Sequence, residues 1–173
     1  MSETEEIIRI AARGDGVTAS GRHISGGVPG DTVDEDGTLT AGPHHADPPC
    51  RHFPACGGCQ LQHVDEEALR QFVTDRVVGA AKAQDLAVGE VLATQLSPPR
   101  SRRRATLHAL KTAQGAVLGF RESGSHRMVN MQECHILVPE LFALVEPLRT
   151  LIGRYGGRQA VDVELTLVDQ GVD

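Results

Sequence analysis

Cysteines constrain the fold of this chain more than any other feature of its sequence. Three of the four, Cys50, Cys56 and Cys59, lie in one short segment that begins with two prolines and contains the pair Gly57-Gly58. The fourth, Cys134, lies far along the chain. Several thiolates on one loop are typical of a metal centre, and glycines let backbone amides approach an inorganic core closely. We therefore expect the fold to bring Cys134 to this loop.

Three chemistries compete for these cysteines. A structural zinc ion takes four tetrahedral ligands, usually as two closely spaced pairs, and only Cys56 and Cys59 form such a pair. An iron–sulfur cube is larger than one ion, so three ligands on a wrapped loop and a distant fourth suit it better. A disulfide framework needs an oxidising compartment, and the acidic N-terminus is unlike a secretory signal. The spacing favours a 4Fe-4S cluster, with zinc and free or disulfide-bonded thiols as alternatives.

Four histidines lie in or near the cysteine segment: His44, His45, His52 and His63. Histidine beside cysteine is compatible with a mixed metal site. Because four thiolates already satisfy a cube, we interpret these histidines as loop or supporting groups rather than as ligands.

Positive charge is concentrated in one part of an acidic chain. The formal net charge is −6, yet residues 96–135 contain seven basic and two acidic side chains. This asymmetry indicates a polyanion partner. The chain has no apolar run near the roughly 20 residues that a membrane span requires, so we expect no membrane partner.

Hydrophobic periodicity predicts an α+β chain. Short apolar runs between glycine turns over residues 6–40 predict small β structure, in which Asp36-Gly37 marks a hairpin. Helical spacing of apolar residues predicts a helix over 65–84, whose apolar stripe we interpret as core. The later predicted elements are a strand over 102–110, its partner over 116–121, a helix from Pro139 to Gly153 and a half-buried strand from Val161 to Leu167.

Several motifs together carry a family resemblance. The spacing Cys-x5-Cys-Gly-Gly-Cys is followed by Gln-Leu-Gln-His, and later by Arg102-Arg103-Arg104, Leu118-Gly119-Phe120-Arg121, Ser125-His126 and Cys134, in that order. This arrangement resembles the 23S rRNA (uracil-5-)-methyltransferase family, a group of S-adenosylmethionine-dependent RNA methyltransferases with a 4Fe-4S cluster. Near the N-terminus, Ala-x-x-Gly-x-Gly-Val and then Val-Pro-Gly-Asp-x-Val resemble the TRAM domain, a small OB-like β-barrel associated with RNA binding.

The resemblance implies a domain order and a cluster site. It implies a shortened TRAM-like β domain over 1–43 and an iron–sulfur loop over 44–63. An incomplete central RNA-binding α/β domain with an antiparallel sheet then follows over 64–173. The cluster ligands that it implies are Cys50, Cys56, Cys59 and Cys134. Ribosomal or transfer RNA is the implied partner, in the cytoplasm, and we expect a monomer.

The same resemblance assigns a role to the arginines of the basic segment. We expect Arg102, Arg104, Arg121 and Arg127 to contact RNA phosphates. Side chains alternate along a strand, so Arg103 should share the face of Ala105 and be less exposed than Arg102 and Arg104. The alternative is that these arginines neutralise acidic neighbours or the negative charge of a thiolate-bound cluster.

Residues for methyl transfer are not recognisable in this sequence. Uracil C5 methylation proceeds through a cysteine nucleophile and a base, but all four cysteines match cluster positions. No glycine-rich turn lies between a strand and a long helix, as an S-adenosylmethionine site requires. We expect the Rossmann-like catalytic domain and its cofactor to lie outside residues 1–173, which alone would be inactive. The alternatives are a stand-alone iron–sulfur RNA-binding module and a zinc-stapled interaction domain.

Overall fold

The computed structural model describes residues 4–173, which form two compact units. The N-terminal unit runs from the first described residue to Pro48 and resumes with Leu61–Leu96. The C-terminal unit consists of Pro49–Gln60 and Ser97–Asp173. The chain therefore enters the C-terminal unit briefly, with the cysteine segment, before it completes the N-terminal unit. The first three residues of the predicted TRAM-like domain lie outside the described residues.

The described part of the N-terminal unit contains a five-stranded antiparallel sheet in the order β3-β2-β1-β4-β5. Its strands are β1 (Glu5–Ile10), β2 (Gly16–Thr18), β3 (His23–Ile24), β4 (Thr32–Val33) and β5 (Leu39–Thr40). The pairing of β4 with β5 confirms the predicted hairpin. A bulge in β1 between Ile7 and Arg9 interrupts its register with β2. Strands this short, curved by a bulge, are compatible with the predicted small β-barrel.

A buried carboxylate holds the turns of this unit together. Asp31 has no exposed surface, and it accepts hydrogen bonds from the backbone N–H groups of Val28 (2.9 Å) and Gly42 (2.7 Å). A further hydrogen bond joins its Oδ2 to His45 Nδ1 over 2.8 Å. One side chain thus connects the turn before β4 to the segment after β5, and it satisfies the polar groups that the short strands leave unpaired.

The helix of the N-terminal unit, α1 (Glu66–Lys82), confirms the predicted helix. The Asp65 side chain caps it by accepting a hydrogen bond from Ala68 N–H over 2.8 Å. Only the first half of its apolar stripe belongs to the core, to which α1 contributes Ala68, Leu69 and Phe72. The other members of this hydrophobic cluster are Ile10, Val28, Leu61 and Val64. Val77 is 68% exposed, so the prediction of a fully buried stripe was wrong. The reason is length, because strands of two to six residues cannot cover a helix of about 25 Å.

Among its described residues, the C-terminal unit combines a four-stranded antiparallel sheet, in the order β7-β6-β8-β9, with two helices. Its elements are β6 (Arg104–Thr112), β7 (Gly115–Gly119), α2 (Pro139–Ala143), α3 (Val145–Tyr155), β8 (Val161–Val168) and β9 (Gly171–Val172). Ala105, Leu107 and Ala109 point from β6 into the core, as their alternation predicted. Leu141 and Val145 belong to the same buried cluster, so the helices pack on this face of the sheet.

The sequence predicted one helix from Pro139 to Gly153, but the structure divides it at Leu144 and continues it to Tyr155. Proline has no N–H to donate, so Pro147 cannot bond to the carbonyl of residue 143, and the helical ladder is interrupted there. Within residues 4–173 no helix has the length and apolar character needed to cross a membrane.

His63 makes the stability of the N-terminal unit sensitive to acid. It is only 4% exposed, and its ring centroid lies 5.6 Å from that of His45. Burial, and then His45, lower the pKa of His63, while Asp31 raises it. The folded state therefore favours the neutral imidazole. As the pH falls below about 6.5, the unfolded chain takes up the proton first, so stability is lost by at most about 1.4 kcal/mol per pH unit.

We predict that His63→Gln flattens the fall in thermal midpoint between about pH 7 and pH 5.5, because glutamine does not titrate there. The midpoints of wild type and variant, measured at both pH values, test this. His23→Gln, at an exposed site on β3, serves as the control and should retain the wild-type slope. The same slope in the His63 variant and wild type would assign the acid sensitivity to other groups.

Candidate metal centre and arginine-rich surface

All four cysteines lie in the C-terminal unit. Cys50 and Cys56 are 8% exposed, while Cys59 and Cys134 are half-buried, and no disulfide joins any pair of them within the described chain. Cys134 also packs against the core cluster of the sheet and helices. The four thiols belong to the same unit, are sheltered from solvent and form no disulfide with one another. They are chemically competent as soft metal ligands.

The electrostatics of Cys56 show which thiols are close to one another. Burial raises the pKa of the Cys56 thiol, and a hydrogen bond from the Gly58 backbone N–H lowers it. Cys50 and Cys134 raise this pKa further, because a second negative thiolate nearby disfavours ionisation. The fold therefore places the distant Cys134 within electrostatic range of the loop. A bound cation would reverse this mutual repulsion.

Backbone hydrogen bonds hold the cysteine loop against the chain that follows β7. Gly57 N–H donates to the Arg121 carbonyl over 2.8 Å, and Ser123 N–H donates to the Ala55 carbonyl over 2.9 Å. A Cβ atom on Gly57 would lie 2.8 Å from the same Arg121 oxygen, and one on Gly58 would lie 2.7 Å from the Phe120 ring. The glycines are therefore required for this close approach of two protein segments, a role that the sequence did not indicate.

The histidines near the cysteines divide between the units. His44, His45 and His63 belong to the N-terminal unit, where they contact Asp65, Asp31 and one another. His52 belongs to the C-terminal unit, and its Nε2 accepts a hydrogen bond from Gln132 N–H over 3.0 Å. Among residues 4–173, no three histidine, cysteine, aspartate or glutamate side chains converge as ligands of a single metal ion.

Polar residues that follow Cys50 and polar residues that precede Cys134 join the two cysteine segments. We call these residues the clasp: Arg51 and His52, with Gln132 and Glu133. The Arg51 backbone N–H donates to Glu133 Oε1 over 2.6 Å, and its guanidinium donates to Gln132 Oε1 over 3.1 Å. The pKa of Glu133 is lowered mainly by the hydrogen bond from the Arg51 backbone N–H, and the charge of Arg51 lowers it further. Sequence reasoning missed the clasp, although Arg51 and Glu133 each adjoin a cysteine.

Arg102, Arg103 and Arg104 are all exposed. Greater exposure of Arg102 and Arg104 than of Arg103 stays a prediction. Arg102 Nη1 donates to the Gly58 carbonyl of the cysteine loop over 3.2 Å. Arg104 Nε donates to Thr166 Oγ1 over 3.3 Å, across the sheet.

The two remaining arginines lie at the far end of β7. Arg127 is 83% exposed, and its Nε lies 3.7 Å from Glu122 Oε2. Arg121 is exposed, and its side chain has no hydrogen bond or ion pair among residues 4–173. The alternative interpretation, neutralisation of acidic neighbours, therefore fits Arg127 better than Arg121.

Comparison with known proteins identifies relatives, although no protein-family model matches the chain. It is 42% identical over 170 residues to an uncharacterised RNA methyltransferase of Zymomonas mobilis, a match covering 98% of this chain and 43% of that protein. It is 32% identical over 154 residues to the 23S rRNA (uracil(1939)-C(5))-methyltransferase RlmD of Erwinia tasmaniensis, covering 87% of this chain and 34% of that protein. An uncharacterised RNA methyltransferase of Caulobacter vibrioides is 35% identical over 181 residues.

The chain spans less than half the length of these relatives. The match lies in their N-terminal part, which agrees with the order of motifs in the sequence. The chain therefore belongs, by its similarity to this N-terminal part, to the family of RNA methyltransferases that includes the 23S rRNA uracil-C5 methyltransferases.

Proposed function

We propose that residues 1–173 are the N-terminal part of an S-adenosylmethionine-dependent RNA uracil-C5 methyltransferase, to which they contribute RNA binding and a structural 4Fe-4S cluster. The observation that carries this proposal is the set of hydrogen bonds that joins the Cys134 segment to the cysteine loop, among them Arg51 N–H to Glu133 Oε1 over 2.6 Å, in a chain whose relatives are named RNA methyltransferases. The enzyme would act in the cytoplasm as a monomer, on ribosomal or transfer RNA. Its cofactor and its catalytic cysteine would belong to a region outside these residues.

The proposed ligands of the cluster are Cys50, Cys56, Cys59 and Cys134. Their thiols are sheltered, free of disulfides and carried by one compact unit, which supports a site assembled by folding. A cube with four protein ligands supplies cross-linking rather than reaction chemistry, because no iron is left open to a substrate. Ligation would contribute folding energy directly, since the site does not exist in the unfolded chain.

The proposed RNA surface consists of Arg102, Arg104, Arg121 and Arg127. All four are exposed in a segment with a large excess of positive charge. Arg102 also contacts the cysteine loop through Gly58, so the loop would orient it for phosphate binding. Arg127 would contribute least, because Glu122 partly neutralises it. Contacts of this kind position an RNA without reading its sequence.

We predict that protein purified without oxygen is brown and contains about four irons per chain, with a broad sulfur-to-iron absorption band. Cys134→Ser should abolish most of the colour, because it removes the ligand that closes the site. Metal analysis and absorption spectra of both proteins test this. Colourless wild-type protein with one zinc per chain would instead establish the zinc-stapled alternative.

We predict that Glu133→Gln accelerates loss of the cluster in air by about tenfold, as expected for a residue that orients a metal ligand. Glutamine keeps the size of the side chain but removes the charge that Arg51 pairs with. Decay of the cluster absorption measures the effect. Glu140→Gln, at an exposed site in α2, is the matched control and should decay at the wild-type rate. Equal decay in the two variants would show that the clasp does not hold the cluster.

We predict that the double variant Arg102→Ala and Arg104→Ala flattens the salt dependence of RNA binding by about one to two units of logarithmic slope. The reason is that each phosphate contact on a single strand releases roughly 0.7 counterions. Titration of RNA affinity against salt, with cluster content checked, provides the measurement. The double variant Arg154→Ala and Arg158→Ala removes the same charge elsewhere and should keep the slope. An unchanged slope in the first variant would assign its arginines to structure.

A further inference from the structure

An open pocket of about 330 Å³ lies beside the cysteine loop, within the C-terminal unit. Gly57 of the loop forms one side, and His108 of β6 forms another. Arg121, Glu122 and Ser123, which follow β7, contribute further polar groups to the wall, as does Gln60 of the loop. The phosphate contacts proposed above do not use His108 or Glu122.

We propose that this pocket holds one unstacked RNA base that carries an exocyclic amino group, namely cytosine, adenine or guanine. The proposal rests on RNA binding by the C-terminal unit, as proposed above, and it adds a base-reading site to the phosphate contacts. A base read here would be a base other than the modified uracil, because uracil has no amino group.

Three lining side chains have planar groups that can stack on a base, those of His108, Phe120 and Arg121. A hydrogen bond of 2.6 Å between His108 Nδ1 and Asp162 Oδ1 fixes the imidazole, whose side chain is 19% exposed. The guanidinium of Arg121 is planar and is not committed to another side chain among the described residues. Proteins commonly bind unstacked RNA bases between aromatic rings and arginine planes. One held ring and one available guanidinium suit this purpose.

The carboxylate of Glu122 determines which ligand fits. Its side chain is 29% exposed, and its nearest cation, Arg127 Nε, lies 3.7 Å away, beyond hydrogen-bond length. A carboxylate only accepts hydrogen bonds, and it has about four sites at which to do so. It therefore repels a phosphate and attracts the amino group of a base, as acidic side chains do with cytosine N4. This selection distinguishes the pocket from the arginine surface.

Backbone hydrogen bonds hold Glu122 in place before any ligand arrives. Its N–H donates to the Arg127 carbonyl over 2.8 Å, and its own carbonyl accepts from Ser125 N–H over 3.2 Å. The neighbouring Ser123 N–H is bonded to Ala55 of the cysteine loop. The base-reading group is thus attached to the same loop that bears the cysteines, so its position is coupled to the integrity of the metal site.

The test compares short single-stranded oligocytidine and oligouridine as probes, with the full cluster-containing chain. Wild type should bind oligocytidine about fivefold or more tightly than oligouridine, since one well-placed base contact discriminates by at least this factor. Glu122→Ala should remove most of this preference while retaining binding to both probes. Glu164→Ala is the matched control, because it deletes the same charge from an exposed position on β8 outside the pocket and should keep the preference.

If the alanine variant does not fold, Glu122→Gln is measured in its place, with its cluster content checked. This variant should also reduce the preference for oligocytidine. Unchanged preference in the Glu122 variants, or an equal change in Glu164→Ala, overturns the pocket assignment while salt-dependent RNA binding leaves the proposed function standing. Wild-type binding without preference for oligocytidine also overturns the pocket. Failure of the wild type to bind either probe overturns the proposed RNA binding itself.

Discussion

The C-terminal unit depends on one long-range closure, the approach of the Cys134 segment to the cysteine loop. The two segments are separated by the chain that builds α1, β6 and β7, so closure costs conformational entropy. Hydrogen bonds from the backbone N–H groups of Gly57 and Ser123, together with the hydrogen bond from Arg51 N–H to the Glu133 carboxylate, offset part of that cost. Burial raises the pKa of the Cys56 thiol, and Cys50 and Cys134 raise it further. A metal cluster bound here, as proposed above, would favour the ionised thiols instead.

The same closure shapes the surface that we propose for RNA. Arg102 donates to the loop carbonyl of Gly58, while Glu122 lies in the segment that the loop pairs with. The groups that we propose to bind phosphate and to read a base would therefore be attached to the cysteine loop rather than to independent parts of the sheet. A cluster can in this way be important for substrate recognition without taking part in a reaction. Rigid support of this kind is what a binding site needs to keep its groups in position.

The acidic character of the chain is compatible with RNA binding because charge is unevenly distributed. Residues 96–135 carry the basic excess, whereas most acidic side chains lie outside this segment. Asp31 holds turns together, and Asp65 caps α1 while also pairing with His44. Net charge alone would have argued against a polyanion partner, so the location of the charges is the informative quantity.

Local sequence determined much of this protein. Turn glycines, alternation in β6 and the helical spacing of apolar residues in α1 predicted most elements, and cysteine spacing with the neighbouring motifs predicted the family. Tertiary structure alone decided the rest. The exposure of Val77 and of Arg103 depends on what lies opposite each of them. The clasp and the pocket join residues far apart in sequence, such as Arg51 with Glu133 and His108 with Glu122. Periodicity reports only on neighbours along one element, so contacts between distant segments had to come from the fold.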